Sequence, residues 1–217
     1  MSLVWTRRLA TLNHALKDVL RDSAQSVAIV TSRMPSENRL GPHSQFHGAT
    51  LSSFSSIALD PHPLVAFSLR MPSRMATSLQ NSDYSQQSHM VINILSACQV
   101  STAIRFANAR LNPQPFAETR YSLTEDGLPI LHDSLGAISC KLALPPKPLY
   151  DLDVIDLEKD IPREKKRWTG VGVASELFIA RVVRVETVPI DDVNNTLRTL
   201  PLIYHHQGYG TVQPLGS

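Results

Sequence analysis

His47-Gly48-Ala49-Thr50-Leu51-Ser52-Ser53-Phe54, Ser55-Ser56-Ile57-Ala58-Leu59, Asp60-Pro61-His62-Pro63 and Leu64-Val65-Ala66-Phe67-Ser68-Leu69 follow one another without a break, and this run decides the fold. The first two pieces read as a strand and its continuation. Asp-Pro-His-Pro is turn chemistry, because proline presets φ and aspartate bonds to nearby backbone. The apolar run after the turn is short enough to be a buried strand. Two strands joined across a proline turn therefore stand in the first third of the chain.

The same short pattern recurs on both sides. Val27-Ala28-Ile29-Val30-Thr31 reads as a buried strand, and Ser32 to His43 as a loop rich in Pro, Ser, Asn and Gly. Met90-Val91-Ile92-Asn93-Ile94-Leu95 is another buried strand. Leu135 to Leu144 and Leu177 to Val185 are two more, the last with branched residues at alternating places. Helices are brief. Pro72 is placed to open one running to about Gln80, and Val100, Ala103, Ile104 and Ala107 have helical spacing. Regular strand-helix-strand spacing is missing, which argues against a doubly wound parallel sheet. The predicted fold is mainly β: a β-barrel with peripheral helices.

The whole of 1–217 reads as one domain with two appendages. Residues 1–24 form an N-terminal helix, with Leu9, Leu12, Leu16, Val19 and Leu20 on one face and Arg8, Lys17 and Arg21 off it. That helix could cover a barrel end or serve in dimerisation. Arg7 and Arg8, with no acidic residue before Asp18, also fit a mitochondrial presequence. Residues 145–172 read as an excursion between two barrel strands, either a solvated loop or a docking element. They hold early prolines, then Asp151, Asp153, Asp156, Glu158 and Asp160, then Arg163-Glu164-Lys165-Lys166-Arg167.

Composition excludes several function classes. Of 217 residues, 42% are hydrophobic and 18% charged, enough for a core and unlike a disordered chain. A net charge of +2 argues against nucleic acid as the main partner, yet a mildly basic cleft attracts phosphorylated cofactors. Cys98 and Cys140 make no disulfide framework, which points to a reducing, intracellular compartment, the cytoplasm first. No apolar run reaches the ~20 residues of a membrane helix. His43 and His47 do not share a helix, and His205-His206 would point two ways on a strand, so no metal site is expected. Gly170-x-Gly172 and Gly208-x-Gly210 are too short for a dinucleotide fingerprint.

Three stretches carry chemistry. Gly48 to Ser56 is small and hydroxylated, so its backbone can approach a flat ligand and offer N–H and O–H donors. In Ser68-Leu69-Arg70-Met71-Pro72-Ser73-Arg74-Met75-Ala76-Thr77 a strand ends at an arginine and Ser73 caps a helix. Free N–H groups, a hydroxyl and a guanidinium make a phosphate site. Asn93 lies inside an apolar strand and needs a partner, from a ligand or from neighbouring backbone.

Taken in order, these segments resemble the flavin reductase-like family of FMN-binding split barrels, which includes the reductase components of two-component flavin monooxygenases. The pieces are Ser26 to Thr31, Gly48 to Ser56 with Leu59-Asp60-Pro61, and Leu64 to Arg70 with Ser73. Val91 to Ser96 with Gln99, Arg105-Phe106-Ala107, Leu128 to Leu131, and Pro201 to His205 with Gly208-Tyr209 complete the set. The resemblance implies FMN as cofactor, with FAD as the alternative, and NADH or NADPH as co-substrate. It implies that Ala49, Thr50, Leu51, Ser52 and Ser53 line the isoalloxazine and ribityl groups. Arg70, Ser73 and Thr77 then stand near the phosphate, and Asn93, Ile94, Leu95, Phe106 and Ala107 border the flavin. His205 and Tyr209 lie near the nicotinamide or a dimer partner. A homodimer and an oxygenase that takes the reduced flavin are the implied partners.

The chain departs from the family pattern at Ser175-Glu176, where a histidine is usual, at Ala180, where glycine is common, and in the long insertion. Hydride transfer is carried by the cofactors, so no acid–base side chain is expected. Two other readings stay open: a flavin-binding protein without the donor site, and a pyridoxine phosphate oxidase-like enzyme, for which no second basic set is evident.

Overall fold

The computed structural model describes residues 2–35, 45–108, 111–150 and 174–213, with side chains from residue 12 onward. Strands dominate it. They are β1 (Gln25–Ser26), β2 (Ala28–Arg33), β3 (Phe46–Leu51), β4 (Ser55–Ala58), β5 (Leu64–Met71), β6 (Met90–Ile94) and β7 (Tyr121–Leu123). Then come β8 (Pro129–Leu131), β9 (Gly136–Leu142), β10 (Lys147–Pro148), β11 (Ala174–Glu186), β12 (Ile203–His205) and β13 (Gly208–Gly210). The α-helices are α1 (Ser2–Arg21), α2 (Arg74–Gln80) and α3 (Val100–Ala107).

The main sheet is antiparallel, in the order β3-β2-β6-β9-β11-β5-β4, with β10 paired to β11. Burial alternates along β5 and the first half of β11, as a sheet with one inner face requires. Phe67 and Phe178 are cross-strand partners, and their rings stack with centroids 5.3 Å apart. The sheet curls until the end of β3 meets β5. There the Ser68 N–H donates to Ser53 Oγ at 2.9 Å, and the Ser53 hydroxyl contacts the Ser68 carbonyl oxygen at 3.3 Å. One side chain thus spans the seam of a split barrel.

Val30, Phe67, Met90, Ile92 and Phe178 fill the interior, and Met75, Ala76 and Leu79 of α2 seal it. Two further apolar layers cover parts of the outside. Over β2 and β3, α3 and the C-terminal segment bury Ile29, Phe46, Leu95, Ala103, Phe106 and Leu202. Gly48 belongs here for steric reasons. A Cβ on it would stand 2.7 Å from the Phe106 ring and 3.1 Å from the Val30 carbonyl oxygen. Over β6 and β9, the β7–β8 hairpin buries Val91, Leu128, Ile130 and Ala137.

The predicted strands are found with ends shifted by a few residues. Several expectations need correction. His205 ends β12, and His206 with Gln207 forms the turn to β13 at φ of 48° and 61°, so the His pair does not lie along one strand. The apolar face of α1 covers nothing among the described residues: Leu12 is 62% and Val19 67% exposed. The Leu9 side chain, His43, the excursion beyond Tyr150 and the Gly170-x-Gly172 pair lie outside what is described. No described helix is long and apolar enough to cross a membrane.

Candidate functional site

With the two covering layers in place, one part of the outer surface has no element over it among the described residues: the face of β4, β5 and β11. Leu64, Ala66, Ser68 and Arg70 point outward from β5, while Val65, Phe67 and Leu69 between them are buried. Their register partners on β11 are Arg181, Ile179, Leu177 and Ser175. The result is a half-exposed apolar floor made by Leu64, Ala66, Leu177 and Ile179.

The Ser-rich segment borders this floor. Thr50 and Leu51 are spent elsewhere: the Thr50 hydroxyl donates to the Ala103 carbonyl at 2.7 Å, and Leu51 is 2% exposed in the core. Ala49 packs on the interior as well. The lining therefore comes from Ser52, Ser53 and the backbone that follows, rather than from the Ala49–Leu51 side chains. The backbone N–H groups of Ser52, Ser53 and Phe54 have no partner among the described residues. They stand beside Ser68, which Ser53 holds across the seam.

At the end of β5, Arg70 is exposed and makes no hydrogen bond or ion pair with a described residue. Ser73 caps α2, its Oγ accepting from the Ala76 N–H at 3.2 Å. Thr77 turns its hydroxyl back to the Ser73 carbonyl at 3.1 Å, within the first turn of the helix. Behind them His47 is 5% exposed. Burial first, and the Arg74 guanidinium second, push its pKa down to about 4, so the ring is neutral near pH 7.

Asn93 resolves the question its position raised. Its Nδ2 donates to the Ile29 carbonyl and Thr31 Oγ1, each at 3.3 Å, and its Oδ1 accepts from the Leu131 N–H at 2.8 Å. With 0% exposure it ties β2, β6 and β8 together and has nothing left for a cofactor. Leu95 and Phe106 likewise belong to the layer over β2 and β3, and Phe106 meets Phe116 edge-on at 5.0 Å. Ile94 is half-buried and Ala107 exposed. Tyr209 packs on that same layer with its ring 5.4 Å from Tyr204, and burial raises its phenol pKa. His205 stands next to it on β12. Within one chain, then, Ser52, Ser53 and Arg70 share the open face. Asn93, Leu95, Phe106, His205 and Tyr209 do not.

Three polar arrangements gave no sequence signal, because their members are distant in the chain. Arg184 pairs with Glu186 at 2.7 Å and Asp126 at 2.9 Å, and Ser139 bonds to Glu186. His132 links Ser122 and Asp191, both at 2.8 Å, and so ties the loop after β11 to the β7–β8 hairpin. Lys141 and Arg181 face each other in register on β9 and β11. Alternation along β11 puts Arg181 on the same face as Leu177 and Ile179, which is the one clue the sequence held.

Residues 20–213 match the model of the flavin reductase like domain. A 131-residue stretch is 28% identical to the FMN reductase (NADH) SmoA of Agrobacterium fabrum; it covers 60% of this chain and 66% of that protein. The fold is that of a flavin reductase domain protein from Arthrobacter sp. FB24, with a TM-score of 0.65 and 20% identity over 94% of this chain and 98% of that one. It is also that of a nitrilotriacetate monooxygenase component B homologue from Mycobacterium thermoresistibile, with a TM-score of 0.64 and 20% identity over 94% and 89% of the two chains.

Proposed function

The chain belongs to the flavin reductase like family, and from that premise we propose that it is a flavin reductase that binds FMN and reduces it with NADH or NADPH. The observation that carries this reading is the open face of β4, β5 and β11. It combines an apolar floor, unpartnered backbone donors at Ser52, Ser53 and Phe54, and the unpaired Arg70. That donor set fits a flavin. A flat ring system needs apolar surface beneath it and N–H groups along its polar edge, and a phosphate needs a guanidinium.

Bound flavin supplies the redox chemistry, accepting a hydride from the nicotinamide. The protein's part is placement. Leu177 and Ile179 exclude water from one side of the rings. The Ser52–Phe54 amides offer hydrogen bonds where negative charge grows on the flavin edge. Ser53, held to Ser68 on β5, fixes the loop that carries them, so little reorganisation accompanies reaction. Arg70 anchors the phosphate. No side chain is assigned as acid or base.

FMN rather than FAD is the flavin of this reading, in accord with a sequence relative named an FMN reductase. A second copy of the chain is the expected partner for α1, whose exposed Leu12, Leu16, Val19 and Leu20 need apolar cover. Delivery of reduced flavin to an oxygenase accords with the component B homologue among the fold neighbours. The whole chain acts as one domain in this reading, and the reducing cytoplasm suits its free thiols, of which Cys140 has its pKa pushed by burial up to about 12.

A second reading keeps the flavin and drops the donor. Ser175 motivates it, since it points onto the open face beside Arg70, at the place where the resemblance to the family implies a histidine. One experiment separates the two. The protein is titrated with FMN, made anaerobic, and mixed with NADH or NADPH while absorbance near ~450 nm is followed. Rapid bleaching is the expected result. Tight FMN binding without bleaching selects the second reading, and no flavin binding refutes both.

A further inference from the structure

Positive charge without an ion-pair partner among the described residues gathers at one end of the open face. Arg181 on β11 lies directly opposite Lys141 on β9 on one side and Leu64 on β5 on the other. Like charges placed opposite each other in a sheet repel. Neither side chain makes a hydrogen bond or ion pair with a described residue. The contrast with Arg184, on the same strand, is direct: that guanidinium is matched by Glu186, Asp126 and Glu125. The carboxylate that feels Lys141 is Asp83, which forms no ion pair with it. It accepts from the Ser85 N–H at 2.9 Å, and Ser85 rather than Lys141 is the main cause of its lowered pKa.

The position of the pair gives it a ligand. From Ser68, beside the Ser52–Phe54 amides, to Leu64, beside Arg181, the floor runs along β5 for about 13 Å at ~3.3 Å per residue. In between, the outward residues that β5 and β11 contribute are Leu64, Ala66, Ile179 and Leu177. A nicotinamide dinucleotide whose nicotinamide stacks on the outer side of the flavin rings, away from the floor, would extend past them toward Leu64 and carry its adenosine ribose to that far end. Arg70 stands at the opposite end, beyond Ser68, so the two cationic groups are separate.

We propose that Lys141 and Arg181 bind the 2′-phosphate of NADPH, which makes the protein selective for NADPH over NADH. The inference rests on the reductase reading for its geometry. Its chemistry is recognition of a phosphomonoester, a group that FMN also carries on its ribityl chain, so the test must tell the two sources apart.

The purified full chain is titrated by calorimetry with adenosine 2′,5′-bisphosphate, with 5′-AMP and with FMN. The expected result is that the bisphosphate binds at least about tenfold tighter than 5′-AMP. Arg181→Gln and Lys141→Gln each remove about tenfold of that preference, and Arg181→Lys keeps most of it. In steady-state assays the ratio of KM for NADH to KM for NADPH falls by the same factor in the Gln variants. Equal binding of the two adenosine nucleotides overturns the proposal. So does a Gln variant that weakens FMN instead, because the pair would then hold the flavin phosphate. If the bisphosphate preference is present and neither donor bleaches the flavin, the phosphate site stands and the reductase reading fails.

Discussion

Replacing Asn93 separates a structural role from a ligand role. The side chain is fully buried, and its amide satisfies the Leu131 N–H, the Ile29 carbonyl and Thr31 Oγ1. Asn93→Ala leaves the Leu131 N–H and the Ile29 carbonyl without these partners in an apolar layer. A buried unsatisfied group costs ~1–3 kcal/mol. The contacts at 3.3 Å are the weaker ones and the one at 2.8 Å the stronger, so the expected loss is about 3–5 kcal/mol. That is a large part of the ~5–15 kcal/mol typical of a folded domain. Asn93→Asp keeps an acceptor for Leu131 but removes both donors and buries a charge, so it is expected to be worse. Urea unfolding of the flavin-free protein measures the loss, and FMN titration of the folded fraction measures affinity. The reasoning is refuted if Asn93→Ala costs less than ~1 kcal/mol while FMN affinity drops tenfold. That outcome would make the amide a flavin ligand.

Gly48→Ala drives a methyl into the Phe106 ring at 2.7 Å and is expected to destabilise by ~1–3 kcal/mol in thermal or urea melts. Combined with Phe106→Leu it should cost less than the sum of the two, since they share one contact. His47 titrates at about 4 in the fold against 6.5 ordinarily, so between those values the unfolded chain binds a proton that the native one does not. Its contribution is complete above ~6.5 and is lost as pH falls toward ~4, by up to ~1.4 kcal/mol per pH unit. His47→Gln should flatten the stability curve over that window, and an unchanged slope would contradict the assignment. Ser53→Ala opens the seam, with an expected loss of ~1 kcal/mol in stability and weaker FMN binding in the same titration.

The apolar runs that became β2, β5 and β6 were legible because a buried strand can be recognised from its own residues. The β7–β8 and β12–β13 hairpins were not. Their strands are three residues long, and the His206-Gln207 turn uses no glycine despite its positive φ. Part of the proposed site follows from local sequence as well. Ser52, Ser53 and Arg70 owe their place to local sequence. The burial of Asn93, Leu95 and Phe106 depends on α3 and the C-terminal segment, which reach them from far along the chain. The facing of Lys141 and Arg181 is a matter of register between distant strands, and a bulge at Val182/Arg184 further disguises the alternation of β11.

The order of strands also sets a schedule for synthesis. β5 emerges from the ribosome with β4, but its other neighbour, β11, is the last long strand of the main sheet. About a hundred residues are added in between, on the order of ten seconds at common elongation rates. Throughout that interval Val65, Phe67 and Leu69 have no Phe178 or Ala180 to close over them. The flavin cannot fill the gap early, because half of its floor is β11 itself. On a nascent chain the inner face of the β4–β5 hairpin therefore stays uncovered by β11 until late in synthesis, and the floor that β5 and β11 build together is completed last.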